Sequence, residues 1–158
     1  MRGYSGIGIP SSACIRFVRN ADVDDSLRGI LSEVRDRGVR IAYVGPKRAA
    51  SSTAGLVNLL AGELGLKHAP YEFNRWVCFL DDLGALAYEE QGLVIIIDSA
   101  WMIFTEKPNE MFDLVEAFLI QFHHWSDRKK PCYLCFQMEP NEVIAGFATG
   151  YGGVGAGP

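Results

Sequence analysis

The chain has 158 residues, 49% of them hydrophobic and 22% charged, with a formal net charge of -4; this suffices to bury one core of useful size and hardly two, so a single domain is expected. A pI near 5.3 argues against a nucleic-acid binder, because duplex DNA attracts a basic face. No segment reaches the roughly 18 uninterrupted apolar residues of a membrane helix, and the opening MRGYSGIGIPSSAC lacks the apolar centre of a signal peptide, so a cytoplasmic location without membrane contact is expected.

In chain order, Ala13 to Val18 is a short strand-like run. Asp24 and Asp25 then precede Leu27, Ile30, Leu31 and Val34, the i, i+3, i+4, i+7 stripe of an amphipathic helix that Gly38 ends. Val39 to Val44 is rich in β-formers and is broken by Gly45-Pro46, which predicts a strand. Ser51, Ser52 and Thr53 are candidate N-caps for a helix whose apolar face is Leu56, Leu59, Leu60 and Leu64, with Gly65 as its stop. After a loop at His68 to Tyr71, the residues Trp76, Phe79, Leu80 and Leu83 repeat the helical spacing and place Asp81 and Asp82 near the edge of the buried stripe.

Leu93 to Ile97 reads LVIII without alternation, which fits a strand covered on both faces of a parallel sheet. Pro108 to Trp125 carries Met111, Val115, Phe118, Phe122 and Trp125 along one side of a long helix, and Pro131 leads into a last strand from Cys132 to Gln137. The resulting order β-α-β-α-α-β-α-β implies a small layered α/β domain with a mostly parallel sheet and helices packed on it. The glycine-rich stretch from Gly146 onward is expected to be a mobile tail.

Charge is unevenly placed. Ten of the nineteen acidic residues lie between Ala69 and Glu116, against two basic ones, Arg75 and Lys107. Met1 to Ala50 instead holds nine bases and five acids. The acidic middle predicts a cationic partner.

Other motifs carry less. Cys132 and Cys135 have the spacing of a redox or zinc pair, yet in a strand their sulfurs point to opposite faces, and all four cysteines (Cys14, Cys78, Cys132, Cys135) read as buried thiols of a reducing compartment. His123-His124 has no second ligand pair at finger spacing, so no metal is expected. Gly150 to Gly155 opens no helix, and the Gly45-Pro46-Lys47-Arg48 loop lacks the paired glycines and lysine-serine step of a phosphate cradle. No nucleophile, base and orienting acid stand at a motif's spacing, so no catalytic residues are assigned.

The motif order from Val39 onward resembles the barstar family of ribonuclease inhibitors over about 100 of the 158 residues. The resemblance is carried by VRIAYVGP, a serine-capped helix ending in ELGL, the aromatic loop PYEF, then NRWVCFLDDL, GLVIIIDSAWMIF and a final strand after a long helix. It implies that an asparagine and a large apolar residue open the helix that enters the target enzyme, and that an aspartate later on it is a central contact. With one residue inserted after Asn74, Trp76 and Leu83 fall on the helix's apolar positions and Asp81 on the aspartate position; without the insertion Leu80 takes that place. Phe73 stands where the family has a loop glycine, and Val77 where it has an aspartate.

What the resemblance implies is an immunity protein, not an enzyme and without cofactor or metal, that blocks a ribonuclease or other nuclease-type toxin through its basic active site. The expected binding residues are Tyr71, Glu72, Phe73, Asn74, Trp76, Asp81, Asp82 and Glu89. Carboxylates would imitate RNA phosphates, and the aromatic residues would pack beside them. On this reading residues 1–38 are an added strand and helix packed on the domain, 39–145 the barstar-like domain and 146–158 the tail. The alternative is a small-molecule or thiol/redox protein of α/β fold using the cysteines or the Lys47 loop.

Overall fold

The computed structural model describes residues 14–18, 32, 38–45 and 55–139. Four strands, β1 (Ile15–Val18), β2 (Arg40–Val44), β3 (Leu93–Ile97) and β4 (Cys132–Gln137), fall where the strand-like runs predict them. Among the described residues, four helices have both ends placed: α1 (Gly55–Leu64), α2 (Arg75–Glu89), α3 (Ala100–Glu106) and α4 (Pro108–Asp127). The helix expected after Asp24, the caps at Ser51 to Thr53, the Lys47 loop and the glycine-rich tail lie outside the described residues.

The sheet is parallel, in the order β1-β4-β3-β2. Its register aligns Ala42 with Ile95 and Ile95 with Leu134, so these side chains share one face. That face and the four helices form a single core, in which Leu56, Leu60, Leu64, Phe79, Leu83, Phe104, Phe118 and Trp125 are fully buried beside Ile95, Ile97, Leu134 and Phe136. At about 1.5–3 kcal/mol for each large apolar side chain removed from water, this face supplies most of the favourable energy of the described fold. Val94, Ile96 and Cys135 form a smaller cluster on the opposite face, with Val39 and Tyr133 against it. Every residue of β3 is buried, as the unalternating LVIII run requires.

These four helices lie on one face because β2, β3 and β4 follow one another across the sheet in a single direction. Right-handed crossovers in one direction return to the same side. The α3 helix is a departure from the sequence expectation. Its buried residues Ala100, Ile103 and Phe104 have i, i+3, i+4 spacing within the run AWMIFTE, and Lys107 (φ -137°) separates it from Pro108 at the start of α4.

Local chemistry fixes the ends. Gly65, at φ 64°, closes α1, with its N–H donating to Gly62 O at 3.1 Å and the Leu66 N–H to Ala61 O at 2.9 Å. At the other end, the Leu56 N–H donates to Glu110 Oε2 at 2.7 Å, so a carboxylate from α4 satisfies a free amide of α1. Gly55, at φ 78°, makes room for this, since a Cβ there would lie 2.6 Å from Glu110 Oε1.

Candidate functional site: the α2 face and its loop

Helix α2 has two stripes. Phe79, Asp82, Leu83, Leu86 and Ala87 face the core. Val77, Asp81, Ala85 and Tyr88, at i, i+4, i+8 and i+11, are exposed along the other side, Val77 by 59% and Tyr88 by 65%. Phe73, in the loop leading into the helix, is 80% exposed. This solvent face carries valine, alanine and tyrosine around one carboxylate and is extended by an exposed phenylalanine, with the Arg128 guanidinium stacked on the Tyr88 ring at 3.7 Å.

The loop before α2 is braced from beneath. The Tyr71 hydroxyl donates to Asp82 Oδ2 at 2.7 Å, and His68 Nδ1 lies 2.5 Å from Asp82 Oδ1. Asn58 on α1 grips Tyr71 at both backbone groups: the Tyr71 N–H donates to Asn58 Oδ1 at 2.9 Å, and Asn58 Nδ2 donates to Tyr71 O at 3.2 Å. Asp82 is 8% exposed and is the one buried polar or charged side chain among the described residues. Burial pushes its carboxyl up, but the Tyr71 and His68 hydrogen bonds outweigh burial and hold it below the usual carboxylate range. Burial first, then the Asp82 carboxylate, raises the Tyr71 hydroxyl far above its ordinary value.

The expected binding residues therefore divide. Tyr71 and Asp82 are buried and bonded to each other, so they hold the loop in place. Glu72, Phe73, Asn74 and Asp81 are exposed. Asn74 precedes the helix in the left-handed region (φ 46°), and its carbonyl accepts the Cys78 N–H at 3.0 Å. Trp76 is half-buried and meets Phe79 edge-on at 5.8 Å between ring centroids. Glu89 pairs with Lys67 at 3.1 Å, and Glu90 with Arg40 at 2.6 Å. Sequence reasoning missed His68, Asn58, Val77 and Tyr88. The first two lie 14 and 13 residues from the residues they hold, while Val77 and Tyr88 follow from extending the helical period four residues before Asp81 and seven after it.

Elsewhere, Cys132 and Cys135 lie on opposite faces of β4, one in each apolar cluster, as strand geometry predicts. Burial pushes the Cys135 thiol up to about 11 and the Cys132 thiol well above its ordinary value, which disfavours the thiolate. Among the described residues no group of three metal-ligating side chains exists. At the carboxyl end of the sheet, the Tyr43 hydroxyl donates to Asp98 Oδ2 at 2.6 Å, and the Ser99 hydroxyl donates to Asp98 Oδ1 at 3.0 Å. Burial and the Asp98 carboxylate push the Tyr43 hydroxyl up to about 12. No described helix is long and apolar enough to cross a membrane.

No family model and no curated protein sequence matches this chain. Solved structures do resemble it. The Drosophila ORC bound to DNA matches with a TM-score of 0.57 at 16% identity, over 82% of this chain and 33% of that one. The ADP form of the Aeropyrum pernix ORC2 protein matches with a TM-score of 0.51 at 13% identity, over 88% of this chain and 40% of that one. The chain thus spans between a third and two fifths of the proteins it resembles, and the likeness shows a parallel α/β fold.

These likenesses correct four expectations. The chain does not group with the barstar family, because the fold it shares is that of the ORC structures. A strand, helix and aromatic-loop order is common to many α/β sheets, and in the resemblance it outweighed the mismatches at Phe73 and Val77. The immunity-protein description falls with the family. The expectation that the chain is not an enzyme does not stand, since one structure sharing its fold is an ADP form. Nor does the pairing of a nuclease-toxin partner with the exclusion of nucleic acid, since another is bound to DNA.

Proposed function

We propose that this domain is a protein-recognition module that uses the exposed stripe of α2 and its preceding loop to bind a basic surface on another protein. The observation carrying this reading is the row Val77, Asp81, Ala85 and Tyr88, extended by the 80%-exposed Phe73. Aromatic and aliphatic side chains supply contact area, and Asp81 with Glu72 supplies charge that steers a cationic partner. The reading includes a cytoplasmic, reducing location, supported by four cysteines of which Cys14, Cys132 and Cys135 are buried.

Photo-crosslinking tests it. A photoreactive amino acid at position 77 is expected to capture a discrete partner at low salt, with capture falling as ionic strength rises. The same group at position 101 on α3 should capture none. Equal capture from both positions, or undiminished capture when Asp81→Lys is added to the position-77 protein, overturns the reading.

A second reading, a nucleotide at the carboxyl ends of the strands, is favoured by the Tyr43–Asp98 bond there, because ligands of open parallel sheets bind at that edge. The ADP form among the similar structures supports it. ADP is expected to raise the melting temperature of the parent and not of Asp98→Asn. Because Glu110 occupies an amide of α1 beside this edge, Glu110→Gln is expected to tighten ADP binding if phosphate uses that helix end. An unchanged melting temperature at millimolar ADP rules the second reading out.

A further inference from the structure

We infer that the occupant of the α2 face is a basic amphipathic helix of the partner, laid along α2 with a lysine or arginine against Asp81. This rests on the recognition reading and names the shape and charge of what is recognised. The exposed stripe runs from Val77 to Tyr88, about 17 Å of helix at 1.5 Å per residue. A loop tip or a single inserted side chain needs one pocket, whereas anchors at i, i+4, i+8 and i+11 match the repeat by which two helices lie against each other. Ala85 is the low point of the row. Flanked by Val77 and Tyr88, it lets a second helix approach closely between two larger ridges.

Charge selects this occupant over a second copy of the chain. Asp81 lies inside the stripe, and Glu72 and Glu89 are exposed beside its two ends. An antiparallel pairing of two α2 helices centred on Asp81 sets that carboxylate against its own copy; centred on Ala85, it sets Asp81 against Glu89. Like charges facing each other disfavour the first arrangement; in the second Asp81 meets a carboxylate already paired with the exposed Lys67, which lessens the repulsion without supplying a cation on the stripe. A partner helix with a cation at its centre sets that cation against Asp81, while the Arg128 guanidinium stacked 3.7 Å from the Tyr88 ring marks the other end of the stripe as the place for an apolar residue of the partner.

Three synthetic peptides of roughly 18 residues, long enough to form a helix on a surface, provide the test with the full chain. One is an amphipathic leucine/lysine helix, one has the same composition scrambled to remove the stripe, and one carries glutamate in place of lysine. The leucine/lysine helix is expected to bind and to shift the amide resonances of residues 77–88. The scrambled and glutamate peptides are expected to bind at least about tenfold more weakly, and Asp81→Lys to weaken the first by about tenfold, the equivalent of one favourable ion pair lost and a repulsion gained. If the scrambled peptide binds as tightly, or if Asp81→Lys changes nothing, the helix inference falls. The recognition reading stands or falls separately, on crosslinking from position 77.

Discussion

Asp82 shows how one residue's burial changes its meaning. Its neighbour Asp81 projects outward, while one residue and 100° further on Asp82 turns in between Phe79 and Leu86. The doublet was legible in the sequence; the division of labour within it depended on Tyr71 and His68, which reach Asp82 from 11 and 14 residues away. Asp82→Asn is expected to cost about 2 kcal/mol at neutral pH, since it weakens hydrogen bonds to a charged acceptor; urea unfolding checks this. The folded carboxyl lies below its unfolded value, so its stabilisation is complete above the unfolded value of about 4 and is lost as pH falls through the folded one. The parent should therefore lose stability on acidification by more than Asp82→Asn does. Tyr71 acts at the other extreme: its hydroxyl is raised, so its contribution is complete below about pH 10 and declines only above that. If Asp82→Asn left both stability and its acid dependence unchanged, the brace would be idle.

At the scale of elements, the strands and the two long helices were legible because burial writes its period into the sequence. The turns between them were harder to read, because they answer to contacts with residues distant in the chain. Gly92 is one such case. A Cβ there would lie 2.8 Å from Pro131 O and 2.9 Å from Val39 Cγ2, where the backbone enters β3. Gly62, inside α1, has open space around the same position. Gly92→Ala is therefore expected to destabilise by about 1–3 kcal/mol, whereas Gly62→Ala should stabilise by roughly 0.5–1 kcal/mol through helix propensity. Thermal unfolding of the two variants compares them directly, and shifts of the same sign would contradict the packing at Gly92. The start of α1 makes the same point: Glu110 reaches Leu56 from 54 residues away, a capping contact that no local motif announces.

For the whole molecule, strand order was the part least visible in the sequence. Alternating strands and helices predicted a parallel sheet, but nothing local says that β1 pairs with β4. The order places β3 and β4 inside the sheet and β1 and β2 at its edges. Hydrogen exchange is therefore expected to be slowest at the amides of β3 and faster at β1, because edge hydrogen bonds open without unfolding the core; equal protection of the two strands would argue against this arrangement. The same order bears on synthesis. Ile15 pairs with Leu134, so β1, the earliest of the described strands, waits for a partner made 119 residues later. At about 5–20 residues per second on the ribosome, the interval is roughly 6–24 s. In that time β2, α1, α2 and β3 can already assemble, leaving the edge that will receive β4 open to other chains. Nascent copies crowded on one message are thus most exposed to mispairing just before Cys132 emerges.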